Sequence, residues 1–221
     1  MPDILEVAEI QALLSQLEQR ERTLVLLDAV TGIRRGELLA LKWQDVDFEQ
    51  LHINVTRSIY RQIVGPCKTE TSQKPVPLDA FIADELRSWR MATAYPAPGD
   101  WVFASPIKKG KQPYWPEQLL RRHILPAAKR AGISKRIGWH TFRHSYSTLL
   151  KANGEDVKVV QELLRHANSR ITLDTYTQAM TPAKRQAQSK VVCMILPAAK
   201  ASRAANGPLT DPRISAGAPS C

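Results

Sequence analysis

The segment HTFRHS, residues 140–145, carries side chains that can bind a phosphate group and move a proton beside it. If the segment is helical, His140 and Arg143 are three positions apart and project from one face. A guanidinium group offers a planar pair of donors that matches two phosphate oxygens, and an imidazole can donate a hydrogen bond or transfer a proton. The pair predicts a phosphate-binding site, with a surface His and Arg on an amphipathic helix as the alternative.

A second arginine stands in TGIRRGELLALKWQDVD, residues 31–47. Gly32 is typical of a helix end, so Arg34 is predicted to begin the next helix, where a cation opposes the helix dipole. Glu37 follows three positions later and can pair with it.

Lys68 lies on a polar turn between extended segments. Its flexible ammonium group can reach into a cleft or remain solvated at a sheet edge.

The segment LLRHANSRITLDTYTQ, residues 163–178, contains His166 and, ten positions later, Tyr176. A phenol has a reference pKa of about 10 and needs help to act as a nucleophile. Cationic neighbours supply that help, because they favour the phenolate and stabilise the oxygens of a five-coordinate phosphorus. Tyr146, one turn after Arg143, is the competing nucleophile.

A metal-dependent nuclease is another interpretation of the sequence. Asp45, Asp47 and Glu49 alternate in DVDFE, and on one face of a strand they could hold Mg²⁺. We expect an ordinary turn here, and therefore no metal and no cofactor, because no other acidic cluster joins these residues.

Charge favours a nucleic acid as the partner. The 221 residues carry a net charge of +10, to which residues 1–65 contribute −3, residues 66–181 +8 and residues 182–221 +5. The alternative is a solvated face with a basic tail.

Three cysteines without paired spacing predict reduced thiols. The first residues lack the pattern of a signal peptide, and no apolar run is long enough to cross a bilayer, so we expect a cytoplasmic protein without membrane contact.

Hydrophobic periodicity predicts a mainly helical α+β fold with a small antiparallel three-stranded sheet. The sheet is expected from LHINVTRSIY and QKPVPL, after three N-terminal helices. Later helices are predicted near residues 79–92, 116–131, 140–153, 156–165 and 169–178. A further helix is expected within 182–201, and the composition of 202–221 favours disorder.

Four segments in order, TGIRRGELLALKW, KTETSQKPVPL, HTFRHSYSTLL and ELLRHANSRITLDTYTQ, resemble the catalytic domain of the tyrosine recombinases, the phage-type integrases and Xer-like recombinases. The resemblance covers roughly residues 3–181, and the domain is expected over 1–181. It implies Tyr176 as the nucleophile, Arg34 and Arg143 as a clamp on the scissile phosphate, and Lys68 as the acid for the leaving 5′ oxygen. His140 and His166 would complete the pocket, and Glu37 would support Arg34.

The resemblance also implies site-specific recombination through a 3′-phosphotyrosyl link. The implied partner is a double-stranded DNA recombination site, occupied by a homo-oligomer, a tetramer on two sites. Strand cleavage like that of type IB topoisomerases and a catalytically idle DNA-binding remnant remain open. Many relatives have glycine where this chain has Arg165, so either the turn differs or arginine tolerates a left-handed conformation, and Arg165 is a candidate contact to the DNA backbone. Relatives also carry an N-terminal core-binding domain, which we expect to be absent.

Overall fold

The computed structural model describes residues 3–67, 74–165 and 182–196. Its α-helices are, in chain order, α1 Val7–Ser15, α2 Gln19–Thr31, α3 Arg35–Leu39, α4 Ala80–Ala92, α5 Pro116–Leu119, α6 Leu125–Arg130, α7 Trp139–Ala152, α8 Val157–Leu163 and α9 Pro182–Ile195. The mainly helical α+β class predicted from the sequence is confirmed. The helix expected near 169–178 and the tail 202–221 lie outside the described residues.

The sheet is small and antiparallel, as predicted. Strands β1 (Val46–Asp47), β2 (His52–Ile53) and β5 (Val76–Pro77) form three strands in the order β1-β2-β5. Strands β3 (Arg57–Tyr60) and β4 (Ile63–Pro66) form a separate hairpin. The segment LHINVTRSIY, from which the sheet was expected, is divided between the two units. The Asn54 amide bonds to the Asp45 carbonyl and so continues the β1–β2 pairing by one residue, and the separate hairpin begins at Arg57.

The acidic run DVDFE does not present its carboxylates on one face. Asp45 is 4% exposed and accepts hydrogen bonds from the Lys42 amide at 2.8 Å and from the Arg57 guanidinium at 2.5 Å. Asp47 accepts from two backbone amides of the turn that follows it. These contacts account for both carboxylates as structural residues, one closing a 3₁₀ turn and the other a β-turn.

Helix α2 is the centre of the fold because almost all of its residues are buried. Leu24, Val25, Leu26 and Leu27 are fully buried, and the helix packs against α1, α4, α7 and α9. A helix that is apolar on every side requires neighbours on every side, and the chain places α2 among four others. The position of α2 in turn fixes where its C-terminal end, and the residues after it, lie.

The junction between α2 and α7 is built around Gly32. Gly32 caps α2 in the left-handed conformation with φ 59°, and its amide bonds to the Asp28 carbonyl at 2.9 Å. A Cβ atom here would lie 2.6 Å from Cδ1 of the buried Tyr146 and 3.0 Å from Cδ2 of Leu164. Glycine therefore permits both the turn and the close approach of α7 and α8.

The C-terminal helix α9 packs against its own chain. Ala187, Val191, Val192 and Ile195 are fully buried, and the helix contacts α1, α2, α7, α8 and β5. The apolar KVVCMIL segment, residues 190–196, thus completes the core of its own chain. No helix in the described ranges has both the length and the apolar character to span a membrane.

Asp28 is an ionisable residue buried in the interior. Its side chain is 1% exposed, and both carboxylate oxygens lack a hydrogen-bond partner in the described part of the chain. Burial raises the pKa of Asp28 well above its ordinary value, and the nearby positive charge of Arg143 partly offsets that effect. We infer that Asp28 holds a proton at higher pH than an exposed aspartate does.

The first prediction concerns Gly32. We expect Gly32→Ala to lower the free energy of unfolding by about 2–4 kcal/mol, since it combines left-handed strain with overpacking against Tyr146. Gly132→Ala is the matched control, because Gly132 also has a positive φ, 72°, but open space around it; that change should cost about 1 kcal/mol. Urea denaturation measures both, and equal losses would contradict the proposed close contact.

The second prediction concerns pH. Because the pKa of Asp28 is raised in the folded state, the folded protein retains a proton that the unfolded chain releases above about pH 4. The carboxyl group therefore lowers stability progressively as pH rises. We expect Asp28→Asn, which has the same shape and does not titrate, to be more stable than the parent near neutral pH, with a smaller advantage in mild acid. Urea unfolding at both pH values checks this, and a pH-independent difference would refute it.

Candidate active site

Arg34 and Arg143, far apart in sequence, are brought together where α2, α3, α7 and α8 meet. Arg34 is the N-cap of α3, two residues after Gly32. Arg143 lies in the second turn of α7, which packs directly against α2. Both side chains are partly buried. The helix ends and the glycine therefore create the arginine pair that the sequence predicted.

Arg143 is held by two backbone carbonyl groups. Its Nη1 donates to the carbonyl of Gly32 and its Nη2 to the carbonyl of Leu164. These residues are the C-caps of α2 and α8, where carbonyl groups left over at a helix end carry partial negative charge. A guanidinium group bridging two such ends satisfies both, and its direction is fixed by two rigid helices.

Burial and neighbouring positive charges destabilise the charged form of Arg143. Burial, together with the positive charges of Arg34 and Arg165, lowers the pKa of Arg143 to about 10, and Glu37 and Asp28 act in the opposite direction. An added anion would relieve this crowding of like charges. The site is therefore suited to a negatively charged ligand.

Arg34 is fixed from two directions. Its Nη1 donates to Oε1 of Glu37 at 3.0 Å, and its Nη2 donates to the carbonyl of Arg165 at 2.9 Å. The backbone amide of Arg34 also donates to Oε2 of Glu37, at 3.2 Å. Glu37 thus supports the arginine as the sequence predicted, and the end of α8 contributes carbonyl groups to both arginines: Leu164 to Arg143 and Arg165 to Arg34.

Arg165 occupies a position that the sequence did not predict. It is 2% exposed, and its Nη2 forms an ion pair with Oε2 of Glu37. Burial lowers the pKa of Arg165, and Glu37 offsets this. A contact with the DNA backbone needs an exposed guanidinium group, so the expected DNA-binding role of Arg165 disagrees with its place in this structure. The left-handed turn itself is present, with φ 52° at Arg165.

His140 lies in the first turn of α7, one turn before Arg143, and it is exposed to solvent. The two residues share a helix face, as the spacing predicted. The ring of His144 lies 6.4 Å from that of His140. An exposed imidazole at this place is accessible to a ligand that reaches Arg143.

Lys68, His166 and Tyr176 lie outside the described residues. Their described neighbours in sequence are informative. Cys67 donates to the carbonyl of Val55 at 3.6 Å; burial raises the pKa of its thiol, Glu37 adds to the increase, and Arg165 and Arg34 oppose it. The residue before Lys68 is therefore near the arginine cluster, and the residue before His166, Arg165, is part of it.

Tyr146 is not placed to act as a nucleophile. Its side chain is fully buried, and its hydroxyl group has no hydrogen-bond partner in the ranges that the structure describes. Burial raises the pKa of Tyr146, and Glu155 adds to that increase. A phenol that is inaccessible and harder to ionise than usual is a packing residue, so the competing assignment loses its support.

The charges of the cluster add to a net positive value. Three guanidinium groups, those of Arg34, Arg143 and Arg165, surround the single carboxylate of Glu37, which gives a formal charge of plus two. Asp28, with its raised pKa, subtracts less than a full charge. Neither Asp28 nor the ionic role of Arg165 is predictable from the sequence, because neither residue type nor spacing indicates burial beside a charge.

Comparisons with known proteins agree with this geometry. Residues 3–181 match the phage integrase family. A XerC-like tyrosine recombinase of Caldanaerobacter subterraneus subsp. tengcongensis is 31% identical over 190 residues, which cover 76% of this chain and 48% of that protein. The chain thus spans about half the length of this curated relative.

Solved structures show the same fold. The crystal structure of XerA recombinase is 27% identical and superposes with a TM-score of 0.62, covering 86% of this chain and 65% of that one. The XerH site-specific recombinase bound to difH substrate is 26% identical, with a TM-score of 0.59 over 76% of this chain and 48% of that one. Because residues 3–181 match the family and the fold is that of the solved recombinases, the chain belongs to the phage integrase family and contains a tyrosine recombinase catalytic domain.

Proposed function

We propose that this chain cuts and rejoins DNA strands in site-specific recombination, through a covalent 3′-phosphotyrosyl intermediate on Tyr176. The observation that carries the proposal is the convergence of Arg34 and Arg143 on the end of α8, one residue before His166. Two guanidinium groups aimed at one place form a clamp for the two non-bridging oxygens of a phosphodiester.

The chemistry is a transesterification, in which each step replaces one phosphoester bond with another. The hydroxyl oxygen of Tyr176 attacks phosphorus as its proton passes to His140 or solvent. The bond from phosphorus to the 5′ oxygen breaks, and Lys68 supplies the proton that this oxygen takes up. A 5′-hydroxyl group from a partner strand then attacks the phosphotyrosyl link and releases the tyrosine. His140 assists proton movement, and His166 donates a hydrogen bond to the phosphate.

Electrostatic complementarity supports the assignment. A phosphodiester carries one negative charge, and attack on it produces a five-coordinate phosphorus with a second. The cluster of Arg34, Arg143, Arg165 and Glu37 has a formal charge of plus two, so it matches the transition state better than the ground state. The arginines are already oriented by backbone carbonyl groups, so little reorganisation accompanies the reaction.

A double-stranded DNA site is the partner that this chemistry requires, and the structure of XerH with difH substrate is consistent with it. Several exposed lysines and arginines supply a surface for the phosphate backbone: Lys108, Lys109, Lys111, Arg121 and Arg122. The homotetramer on two sites and the cytoplasmic location remain predictions from the sequence.

The proposal predicts that Tyr176→Phe abolishes the covalent protein–DNA adduct and leaves DNA affinity nearly unchanged, because it removes only the attacking oxygen. Adducts are trapped on a pool of nicked duplexes of randomised sequence and separated in denaturing gels. Tyr146→Phe is the matched control and should form the adduct normally. An adduct that survives Tyr176→Phe would refute the nucleophile, whereas its complete absence from the parent protein would favour an idle DNA-binding remnant.

A further prediction concerns the clamp. Lysine is a single-point donor and cannot bridge the carbonyls of Gly32 and Leu164 while also binding a phosphate in a fork, so Arg143→Lys should slow cleavage by about 10²–10³-fold. Arg87→Lys, at an exposed arginine paired with Asp84, is the control. Single-turnover cleavage rates are compared at equal folded fraction from thermal melts. A loss below tenfold for Arg143→Lys would contradict its role.

A further inference from the structure

Arg165 connects both contacts that fix Arg34. Its guanidinium group pairs with Oε2 of Glu37, and its backbone carbonyl accepts from Nη2 of Arg34 at 2.9 Å. Glu37 in turn accepts from Nη1 of Arg34 at 3.0 Å. These contacts form a closed ring of three residues. Glu37 lies in α3, Arg34 is the N-cap of that helix, and Arg165 follows the C-cap of α8.

We propose that Arg165 is a positioning residue that sets the orientation of Arg34 through this ring. The proposal rests on the proposed function, since it concerns the same phosphate clamp. Arg165 lies in the interior, where it contacts Glu37 and Arg34, and it acts on the clamp through these two residues.

Glu37 is the step at which Arg165 acts. The Glu37 side chain is 4% exposed, so its carboxylate depends on cations for stabilisation. A carboxylate with one arginine neighbour favours the two-point pair, in which both ends of the guanidinium fork face it. Oε2 pairs with the Arg165 guanidinium group and also accepts from the Arg34 backbone amide, and the Arg34 guanidinium group meets the carboxylate through Nη1 at Oε1.

The second end of the Arg34 fork is fixed by the Arg165 carbonyl. That carbonyl accepts from Nη2, which turns the guanidinium plane away from a two-point pair with Glu37. The Arg34 side chain retains 36% exposure, whereas Glu37 and Arg165 are almost fully buried. The ring therefore presents one arginine to a ligand and keeps the two supporting side chains inside.

The backbone conformation at Arg165 is unfavourable for arginine, so local preference does not explain why arginine is present here. Its φ of 52° is a conformation that glycine adopts without steric cost and arginine does not. Burying a guanidinium group adds a second penalty unless it is paired. Both penalties are offset by the same contact, the ion pair with Glu37, so side chain and turn are mutually dependent.

The test compares Arg165→Gly, Arg165→Lys and the double variant Glu37→Gln/Arg165→Gly in single-turnover cleavage of nicked duplexes. With Arg165→Gly, we expect the first-order cleavage rate to fall by tenfold or more while DNA affinity changes less than twofold. The variant keeps the carbonyl of residue 165, but the loss of the buried cation leaves Oε2 of Glu37 to attract Arg34 away from that carbonyl and onto both carboxylate oxygens. Arg165→Lys should recover part of the rate. The double variant should cleave faster than Arg165→Gly, since no carboxylate remains to capture Arg34.

The matched control is Arg61→Gly. Arg61 also has a positive φ, 47°, but lies exposed in the turn between β3 and β4. It separates the relief of backbone strain from the loss of the buried cation, and its cleavage rate should equal that of the parent. A rate for Arg165→Gly within twofold of the parent, or a double variant no faster than Arg165→Gly, would overturn the positioning role.

A crystal structure of the Arg165→Gly variant gives a result that needs no activity. We expect both ends of the Arg34 fork to face Glu37; an Arg34 side chain in its original position would refute the proposal. If the parent protein forms no adduct with DNA, the proposed function fails while this structural result still decides the role of Arg165. If the parent forms the adduct and Arg34 does not move, only the positioning role fails.

Discussion

The contact on which the site depends is the bridge from the Arg143 guanidinium group to the carbonyls of Gly32 and Leu164. It joins the C-terminal ends of α2 and α8, whose partial negative charges would otherwise face each other across the interior. The bridge requires close approach, and Gly32 permits it because a side chain there would strike Tyr146. The same contact therefore closes the fold and orients the clamp, so a change in helix packing at this point alters the chemistry directly.

Placing several charges in a protein interior is expensive unless each is paired, and this cluster pairs them unequally. Glu37 serves two arginines, and backbone carbonyls serve Arg34 and Arg143. The result is a cluster with a formal charge of plus two, in which burial first and the neighbouring guanidinium groups second lower the pKa of Arg143. In the proposed function, this excess positive charge favours binding of a phosphate, and it favours the transition state more strongly as a second negative charge develops on phosphorus.

The sequence predicted those features that depend on local pattern. The helix ending at Gly32, the pairing of Arg34 with Glu37 and the shared face of His140 and Arg143 all follow from residue spacing. It did not show where long-range contacts divide or bury a segment: LHINVTRSIY alternates throughout, yet Ile53 belongs to the three-stranded sheet and Arg57 to a separate hairpin. Likewise, an arginine in a basic protein is expected at the surface, and only the long-range ion pair at the end of α8 puts Arg165 beside Glu37.

Arg165 illustrates how a residue that is unfavourable by its own backbone preference becomes fixed by its surroundings. Glycine satisfies the turn but offers Glu37 no cation, whereas arginine satisfies Glu37 and strains the turn. The choice at position 165 is thus inseparable from the identity of residue 37 and from the direction of Arg34. Because His166 follows without an intervening residue, the geometry of this turn also sets where the chain that carries His166 and Tyr176 begins. The buried ion pair between Arg165 and Glu37 therefore constrains both the direction of Arg34 and the turn that leads to His166, and these belong to the two parts of the proposed active site.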